Sequence, residues 1–182
     1  RALHSGHPMQ RFWHRGKLVM IDQLIRPHLG AGSRLLEIGC GAGNLLLQAT
    51  VPGSYPVALD LSMQALAFVR SRLEDAQSGP EAPSGFACTQ AIGESLPFPD
   101  DTFDCILLSE VIEHLENPPG YFEILKKRMG EGSVLSIMTL FHPESEDEFL
   151  NWYYMRDMSH ISFYTPQTMR IIGEKIGLEV VY

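Results

Sequence analysis

The chain has 182 residues, of which 45% are hydrophobic and 20% charged, so it fits one globular domain and is not a disordered chain. Its 14 basic and 22 acidic side chains give a formal charge of −8, which disfavours nucleic acid as a partner. No apolar run reaches the roughly 18 residues that cross a bilayer, and the sequence shows neither a signal-peptide pattern nor a CxxC pair, so we expect a cytoplasmic protein with reduced thiols.

Positive charge is concentrated at the start of the chain. Residues 1–30 carry five basic side chains and the single acid Asp22, which leaves the rest of the chain strongly acidic. Four apolar residues recur there at helical spacing: Leu18, Ile21, Leu24 and Ile25. Because Pro27 and Gly30 disfavour continuation of a helix, the pattern predicts an N-terminal helical cap within residues 1–30.

Short apolar strands alternate with helices along the rest of the chain. The predicted strands are residues 34–38, 55–60, 86–90, 103–109, 133–140 and 178–182. The predicted helices are residues 44–49, 62–73, 118–128 and 165–177, with Ser62 and Thr165 as N-caps and Gly177 after the last turn. This alternation predicts an α/β fold with a doubly wound, mostly parallel sheet and helices on both faces.

A glycine-rich turn follows the first strand, with Gly39, Gly41 and Gly43 at alternate positions. Such glycines let the backbone turn tightly and let a ligand approach the main chain. Asp60 ends the next strand, where an acid can accept both hydroxyls of a ribose. From these residues alone, a nicotinamide cofactor, another nucleoside ligand and an ordinary strand–turn–helix with a capping aspartate all remain open.

Four segments resemble, in order, the motifs of the class I S-adenosylmethionine-dependent methyltransferases. They are residues 35–43 (LLEIGCGAG), 58–60 (ALD), 96–104 (LPFPDDTFD) and 110–115 (EVIEHL). The resemblance covers residues 34–140 and implies a Rossmann-like fold. It also implies methyl transfer from S-adenosylmethionine to oxygen or nitrogen of a small molecule, with S-adenosylhomocysteine as product. The third glycine comes one residue earlier than in the dinucleotide pattern G-x-G-x-x-G.

The resemblance implies a role for each matching residue. The expected cofactor contacts are Glu37, Gly39, Gly41, Gly43, Asp60, Leu61, Gly93, Glu94 and Ser109. The three glycines and Ser109 would lie along the methionine part of the cofactor, and Glu37 would hold its ammonium group. Asp60 would bind the ribose, with Leu61 packing near the adenine.

One position departs from the family pattern at the adenine end. Members of the family commonly carry an aspartate that accepts from the adenine amino group, and Ile92 stands at that position here. The resemblance then leaves the backbone amide of Gly93 and the carboxylate of Glu94 as the groups that can meet the base. We therefore expect a cofactor pocket with a different arrangement at this end.

Three histidines are the candidate general bases for transfer to a weak nucleophile. His142 and His160 lie in the insert 141–164, which leaves the carboxyl end of a central strand and should cover the acceptor pocket. His114 follows the fourth strand. The insert is also rich in aromatic residues, which suit a planar or amphipathic small substrate. Alternatively, these aromatic side chains pack within the insert and the histidines are structural hydrogen-bonding residues.

A metal site is the weaker interpretation of Glu110, Glu113 and His114. At i, i+3 and i+4 these side chains would share one helical face and could hold Mg²⁺ or a transition ion. The spacing resembles the metal-associated segment of quinone-ring O-methyltransferases. The alternative, which we prefer, has no metal, with His114 at the mouth of the active site and solvated glutamates.

The N-terminal segment 7–15 (HPMQRFWHR) is a candidate cover for the site. In the enzymes that this chain resembles, an N-terminal helix folds over the cofactor. Phe12 and Trp13 would then cap the site, and Arg11 or Arg15 would meet a carboxylate. An amphipathic surface helix is the alternative.

We predict one methyltransferase domain over residues 1–182. Its parts are the cap 1–30, the cofactor-binding core 34–140, the insert 141–164, and the last helix and strand 165–182. The family's sheet normally ends in a seventh, antiparallel strand, so six predicted strands imply that the natural protein extends past Tyr182 or that this sheet lacks its last strand. Other functions left open are a catalytically silent binding protein, a nicotinamide-dependent oxidoreductase and a protein or tRNA methyltransferase. Neither the acceptor nor the oligomeric state is indicated.

Overall fold

In the computed structural model, which describes Gly16 and residues 19–182, five strands form one parallel sheet. The strands are β1 (Arg34–Ile38), β2 (Tyr55–Asp60), β3 (Ala87–Gln90), β4 (Phe103–Ser109) and β5 (Met129–Met138). Their order is β3-β2-β1-β4-β5, so the direction of winding reverses between β1 and β4. The predicted bounds of β1, β2 and β4 are confirmed. β3 begins one residue later than predicted, and β5 begins four residues earlier and ends two earlier.

Five α-helices connect or follow these strands in the described part of the chain. They are α1 (Asn44–Ala49), α2 (Met63–Ala76), α3 (Pro118–Arg128), α4 (Glu146–Asn151) and α5 (Pro166–Ile176). The predicted caps are confirmed: Ser62 Oγ accepts from Ala65 N and Thr165 Oγ1 accepts from Thr168 N. Gly177 ends α5 with φ of 70°, a left-handed conformation that glycine adopts without strain.

Helices cover both faces of the sheet, as predicted. Neighbouring residues of one strand point to opposite faces, so Leu36 packs with α3 and α5, whereas Leu35 packs with α1 and α2. Ile106 and Leu107 divide in the same way on β4. The central strands are therefore largely apolar on both faces, and polar groups that serve a ligand are expected at or beyond the strand ends.

Part of the predicted N-terminal helix is described. Residues Ile21–Ile25 form one turn of π-helix and Arg26–His28 a 3₁₀ turn. Ile21 and Ile25 are buried against the face that carries α1 and α2, whereas Leu24 is 38% exposed. Leu18 and the candidate cover 7–15, with Arg11, Phe12, Trp13 and Arg15, lie outside the described residues. No helix in the described part is long and apolar enough to cross a membrane.

The sixth strand predicted over residues 178–182 is wrong. This segment follows α5 without pairing to any described strand. It folds back on α5, where Val180 packs so closely on Gly173 that a Cβ there would lie 2.3 Å from Val180 Cγ2, and Tyr182 Oη donates to Pro166 O. Alternate residues are half-buried, as in a strand, but their cover is a helix and not a neighbouring strand.

Two cysteines are chemically protected by burial. Burial is the main cause that raises the pKa of the Cys40 and Cys105 thiols to about 12. At pH 8 about one thiol in 10,000 is then ionised, and the thiolate is the reactive form. We expect iodoacetamide at pH 8 to leave both unmodified in the native protein and to label them after denaturation, as read by peptide mass spectrometry. Rapid labelling of either thiol in the native protein would contradict the packing described here.

Candidate functional site

A cavity of about 270 Å³ opens at the carboxyl ends of β1, β2 and β4, beside the point where strand order reverses. Ligands of doubly wound sheets bind at this position. The cavity is lined by Ile38, Gly39, Leu59, Asp60, Leu61, Ala91, Gly93, Glu94, Glu110, Val111, His114, Leu115 and Tyr121. Of the nine predicted cofactor contacts, these include Gly39, Asp60, Leu61, Gly93 and Glu94.

The glycine turn between β1 and α1 is shaped by close packing. Gly39, Gly41 and Gly43 all have positive φ. A Cβ on Gly43 would lie 2.8 Å from Val69 Cγ2, so α2 can approach the turn only because this residue is glycine. Gly39 lines the cavity, whereas Gly41 and Gly43 are not among its lining residues.

Asp60 joins the glycine turn to the end of β2. Its Oδ2 accepts from Gly41 N at 2.8 Å, and its Oδ1 accepts from Ser62 N at 2.8 Å. A carboxylate has about four lone-pair positions, so each oxygen keeps capacity for a hydroxyl of a ligand in the cavity. The arrangement fits the predicted ribose contact.

Glu37 is buried at the base of the turn. Its Oε2 accepts from Leu46 N at 3.1 Å, in the first turn of α1. Acceptors at a helix N-terminus satisfy amides that have no partner inside the helix. Glu37 and Ser109 are outside the described cavity lining, and Ser109 pairs with Met138 in the ladder between β4 and β5. In this structure, Glu37 therefore orients α1 and the turn.

The opposite end of the cavity is apolar and open. Leu61 is 65% exposed at the rim, and Ile92, at the position where the family commonly has aspartate, is 49% exposed. Gly93, the residue after Ile92, lines the cavity. An exposed leucine beside a cavity offers a flat apolar surface to a ring-shaped ligand.

Tyr121 forms part of the cavity floor and was not identified from the sequence. It lies on the buried face of α3 with Phe122 and Leu125. The signal available was a tyrosine in an apolar helical stripe, because a buried phenol needs a hydrogen-bond partner. In the part of the chain that is described, its Oη has none.

His114 stands at the cavity mouth and is held in one orientation by the insert. Its Nδ1 lies 3.0 Å from the carbonyl oxygen of Ser159. Since a carbonyl only accepts, Nδ1 carries the proton, and Nε2 is the basic nitrogen of the neutral ring. Ser159 is in turn held by Asp157 Oδ1, which accepts from its N and Oγ, and these bonds lower the pKa of Asp157.

His160 lies beside His114, with ring centroids 4.8 Å apart. Its Nδ1 is 2.7 Å from the carbonyl oxygen of Tyr154, so it has the same tautomer. Its ring also packs against the Tyr154 ring at 4.1 Å. The insert thus brings His160 next to His114. It also supplies Ser159, which contacts His114 although 45 residues separate the two along the chain.

The shared helical face predicted for Glu110, Glu113 and His114 is wrong. Glu110 has φ of 58° and precedes the 3₁₀ turn Ile112–His114, so the three residues do not form one helical face. A left-handed residue at the end of β4 turns the chain before the helical turn begins. The structure instead brings ligand atoms of Glu113, His114 and His160 within 4.8 Å of one another, a donor set that could hold a transition ion.

His142 occupies a separate groove formed by the insert. Its Nδ1 lies 2.7 Å from the carbonyl oxygen of Pro143, and its ring contacts Phe149 at 5.7 Å between centroids. The groove also includes Phe163 and shares no lining residue with the cavity that contains Asp60. Of the three predicted catalytic histidines, His114 and His160 come together and His142 does not join them.

Tyr154 connects the insert to the acidic residues after β4. Its Oη donates to Glu113 Oε1 at 2.5 Å and lies 3.1 Å from Glu110 Oε2. Burial, and then the hydrogen bond to Glu113, raise the pKa of Tyr154, so the phenol remains a donor. The second oxygen of fully buried Glu113 accepts from Thr139 Oγ1 at 3.3 Å.

We expect Tyr154→Phe to destabilise the protein by about 1–3 kcal/mol, because a buried carboxylate loses a donor. Urea unfolding measures this change. The matched control is Tyr153→Phe, since Tyr153 immediately precedes Tyr154 and is 54% exposed. A surface change of this kind stays within about 0.5 kcal/mol. Equal stability of the Tyr154 variant and the wild type would show that Glu113 does not depend on this bond.

A protein-family model and several known proteins are similar to this chain. The model of a methyltransferase domain family matches residues 7–182. A ubiquinone biosynthesis O-methyltransferase of Dechloromonas aromatica is 26% identical over 140 residues, which are 77% of this chain and 54% of that protein. The chain therefore spans about half the length of this curated relative.

Two solved structures share the fold. YcgJ of Bacillus subtilis has a TM-score of 0.71 and 23% identity, with 90% of this chain and 68% of that chain covered. Phosphoethanolamine N-methyltransferase 2 of Haemonchus contortus, solved in complex with S-adenosyl-L-methionine, has a TM-score of 0.67 and 20% identity, with 89% and 36% covered. At these identities both structures show the fold alone.

Proposed function

The chain belongs to the methyltransferase domain family, and on this premise we propose that it transfers a methyl group from S-adenosylmethionine to an oxygen or nitrogen of a small-molecule acceptor. The observation that carries the proposal is the cavity at the reversal of strand order, where the Asp60 carboxylate and the glycine turn meet His114. When bound, S-adenosylmethionine supplies a methyl group on a positively charged sulfur and leaves as S-adenosylhomocysteine.

The residues present fit this cofactor. Asp60 offers acceptor capacity for ribose hydroxyls, and Leu61 with Ala91 offers apolar contact to a base. A Cβ on Gly39 would lie 3.0 Å from Val111 Cγ2, so glycine lets the turn pack closely on Val111, which lines the same cavity. Tyr121 also lines the cavity, and its hydroxyl has no hydrogen-bond partner among the described residues.

The acceptor must place its nucleophilic atom in line with the sulfur–methyl bond. A phenol or protonated amine must also lose its proton. Nε2 of His114 is the basic nitrogen at the cavity mouth, and it takes this proton as the new bond to the methyl carbon forms. His160 packs beside this ring, and Ser159 O holds Nδ1, so both act on its orientation.

We infer an oxygen acceptor in preference to nitrogen. The relative from Dechloromonas aromatica is named an O-methyltransferase. A phenol also gains most from a base, because its proton must be removed for reaction at neutral pH. Aromatic residues of the insert pack on one another, as Trp152 does on Tyr154, and the exposed Tyr153 offers an aromatic surface to a planar acceptor.

Turnover with a panel of acceptors tests the proposal. The purified chain is incubated with methyl-labelled S-adenosylmethionine and catechols, simple phenols, aromatic amines and aromatic carboxylates. We expect label to appear in the phenolic products and S-adenosylhomocysteine to form in equal amount. Cofactor binding without turnover on any acceptor would favour the catalytically silent alternative.

A further inference from the structure

Tyr121 carries a polar group that the fold itself does not use. The side chain is 2% exposed and lies among Phe122, Leu125 and other apolar residues of the core. Its Oη has no hydrogen-bond partner among the described residues. Buried polar groups nearly always have a partner, and leaving one unpaired costs stability. Phenylalanine would fill the same apolar site without this cost.

The hydroxyl lies beside two other residues that line the cofactor cavity, Gly93 and Ile38. A Cβ on Gly93 would lie 3.0 Å from Tyr121 Oη and 3.3 Å from Ile38 Cγ2, so these three residues meet at one corner. All three line the cavity. Glycine at position 93 therefore keeps a side chain off the hydroxyl at this corner.

The charge state of the phenol suits it to donate. Burial, and then the negative charge of Glu94, raise the pKa of Tyr121 above the ordinary value for tyrosine. The proton therefore stays on the oxygen at physiological pH. A neutral hydroxyl in an apolar corner can donate to an acceptor such as a nitrogen of an aromatic ring.

We propose that the Tyr121 hydroxyl donates a hydrogen bond to the adenine of the bound cofactor, an inference that rests on the function proposed above. The corner is shared by Gly93, in the segment after β3 that also supplies Ala91 to the cavity, and by Ile38, which immediately precedes the glycine turn. The side chain at position 92 is isoleucine and supplies no polar contact. Tyr121 reaches the base from the floor of the cavity instead, and is a positioning residue for the cofactor.

The test is Tyr121→Phe, measured without catalysis. Calorimetry with S-adenosylhomocysteine is expected to give a dissociation constant about 3–10-fold weaker than wild type, the usual effect of one hydrogen bond. The melting temperature without ligand is expected to stay equal or rise, because the variant removes an unpaired buried hydroxyl. A merely structural tyrosine would give the opposite pair of results.

Tyr164→Phe is the matched control. Tyr164 is 3% exposed in the same core, and its Oη donates to Ile112 O at 2.8 Å. This variant is expected to melt at a lower temperature and to bind S-adenosylhomocysteine as the wild type does. Tyr121→Phe is therefore expected to lower the affinity for the ligand, whereas Tyr164→Phe is expected to lower the stability of the protein.

A second ligand locates the contact on the cofactor. We expect Tyr121→Phe to weaken the binding of 5′-methylthioadenosine, which lacks the amino-acid part, by the same factor as the binding of S-adenosylhomocysteine. An effect on S-adenosylhomocysteine alone would overturn the adenine contact. Equal affinity of variant and wild type, or loss of stability without ligand, would overturn the inference while the proposed function stands. Failure of the wild type to bind either ligand would overturn both.

Discussion

Replacing Asp60 by alanine is expected to weaken S-adenosylhomocysteine binding by about 100-fold or more. A hydrogen bond to a charged group contributes about 1.5–3 kcal/mol, and the carboxylate is placed to accept two from the ribose. The same change also releases Gly41 N and Ser62 N, so the glycine turn loses its connection to β2. Calorimetric titration of the variant measures the loss.

Asp104 provides the matched control for this carboxylate. Its Oδ2 accepts from Arg34 N at 2.8 Å. Both residues lie near the amino ends of β1 and β4, whereas the cavity lies at the carboxyl ends of these strands. Asp104→Ala is expected to lower the melting temperature and leave the dissociation constant unchanged. If Asp60→Ala binds within about 3-fold of wild type, less than the effect of one charge-assisted bond, Asp60 does not hold the ribose.

His114→Gln is expected to lower kcat by about 100-fold or more on a phenolic acceptor, because general-base catalysis contributes about 10²–10⁴-fold. Glutamine keeps a polar side chain near Ser159 but has no basic nitrogen. The affinity for S-adenosylhomocysteine is expected to change little, since the base acts on the acceptor. Initial rates at saturating cofactor give kcat, and calorimetry gives the affinity.

His142→Gln is the matched control for His114→Gln, because it removes a histidine that contacts a carbonyl in the same way but does not line the cavity. His142 has the same contact between Nδ1 and a carbonyl, but it lies in the other groove. Its variant is expected to keep kcat within about 2-fold of wild type, because it is not placed to take the proton. Equal losses in both variants, or full activity of His114→Gln, would contradict the assignment of the base.

The sheet was largely predictable because local pattern and tertiary packing agree. β1, β2 and β4 are short apolar runs that end in turn residues, and each is buried on both faces. Ser62 and Thr165 cap their helices through contacts within three residues, which a sequence pattern can express. The carboxyl ends of these strands predict where the cavity lies.

The failures arose where distant residues decide the local structure. Residues 178–182 alternate like a strand, but their packing partner is Gly173 on α5. Spacing predicts that Glu110 shares a helical face with Glu113, yet its left-handed backbone directs the chain out of β4. The links from Tyr154 to Glu113 and from Ser159 to His114 span 41 and 45 residues, and spacing carries no information on contacts of that range.

Calorimetric titration of the wild-type chain with S-adenosylmethionine and with S-adenosylhomocysteine tests the central claim most directly. The account predicts one binding site for each ligand. At a ligand concentration of 100 times the dissociation constant, it predicts a rise in melting temperature of about 5–10 °C. No heat of binding and no thermal shift with either ligand would contradict the assignment of the cavity beside Asp60 as a cofactor site.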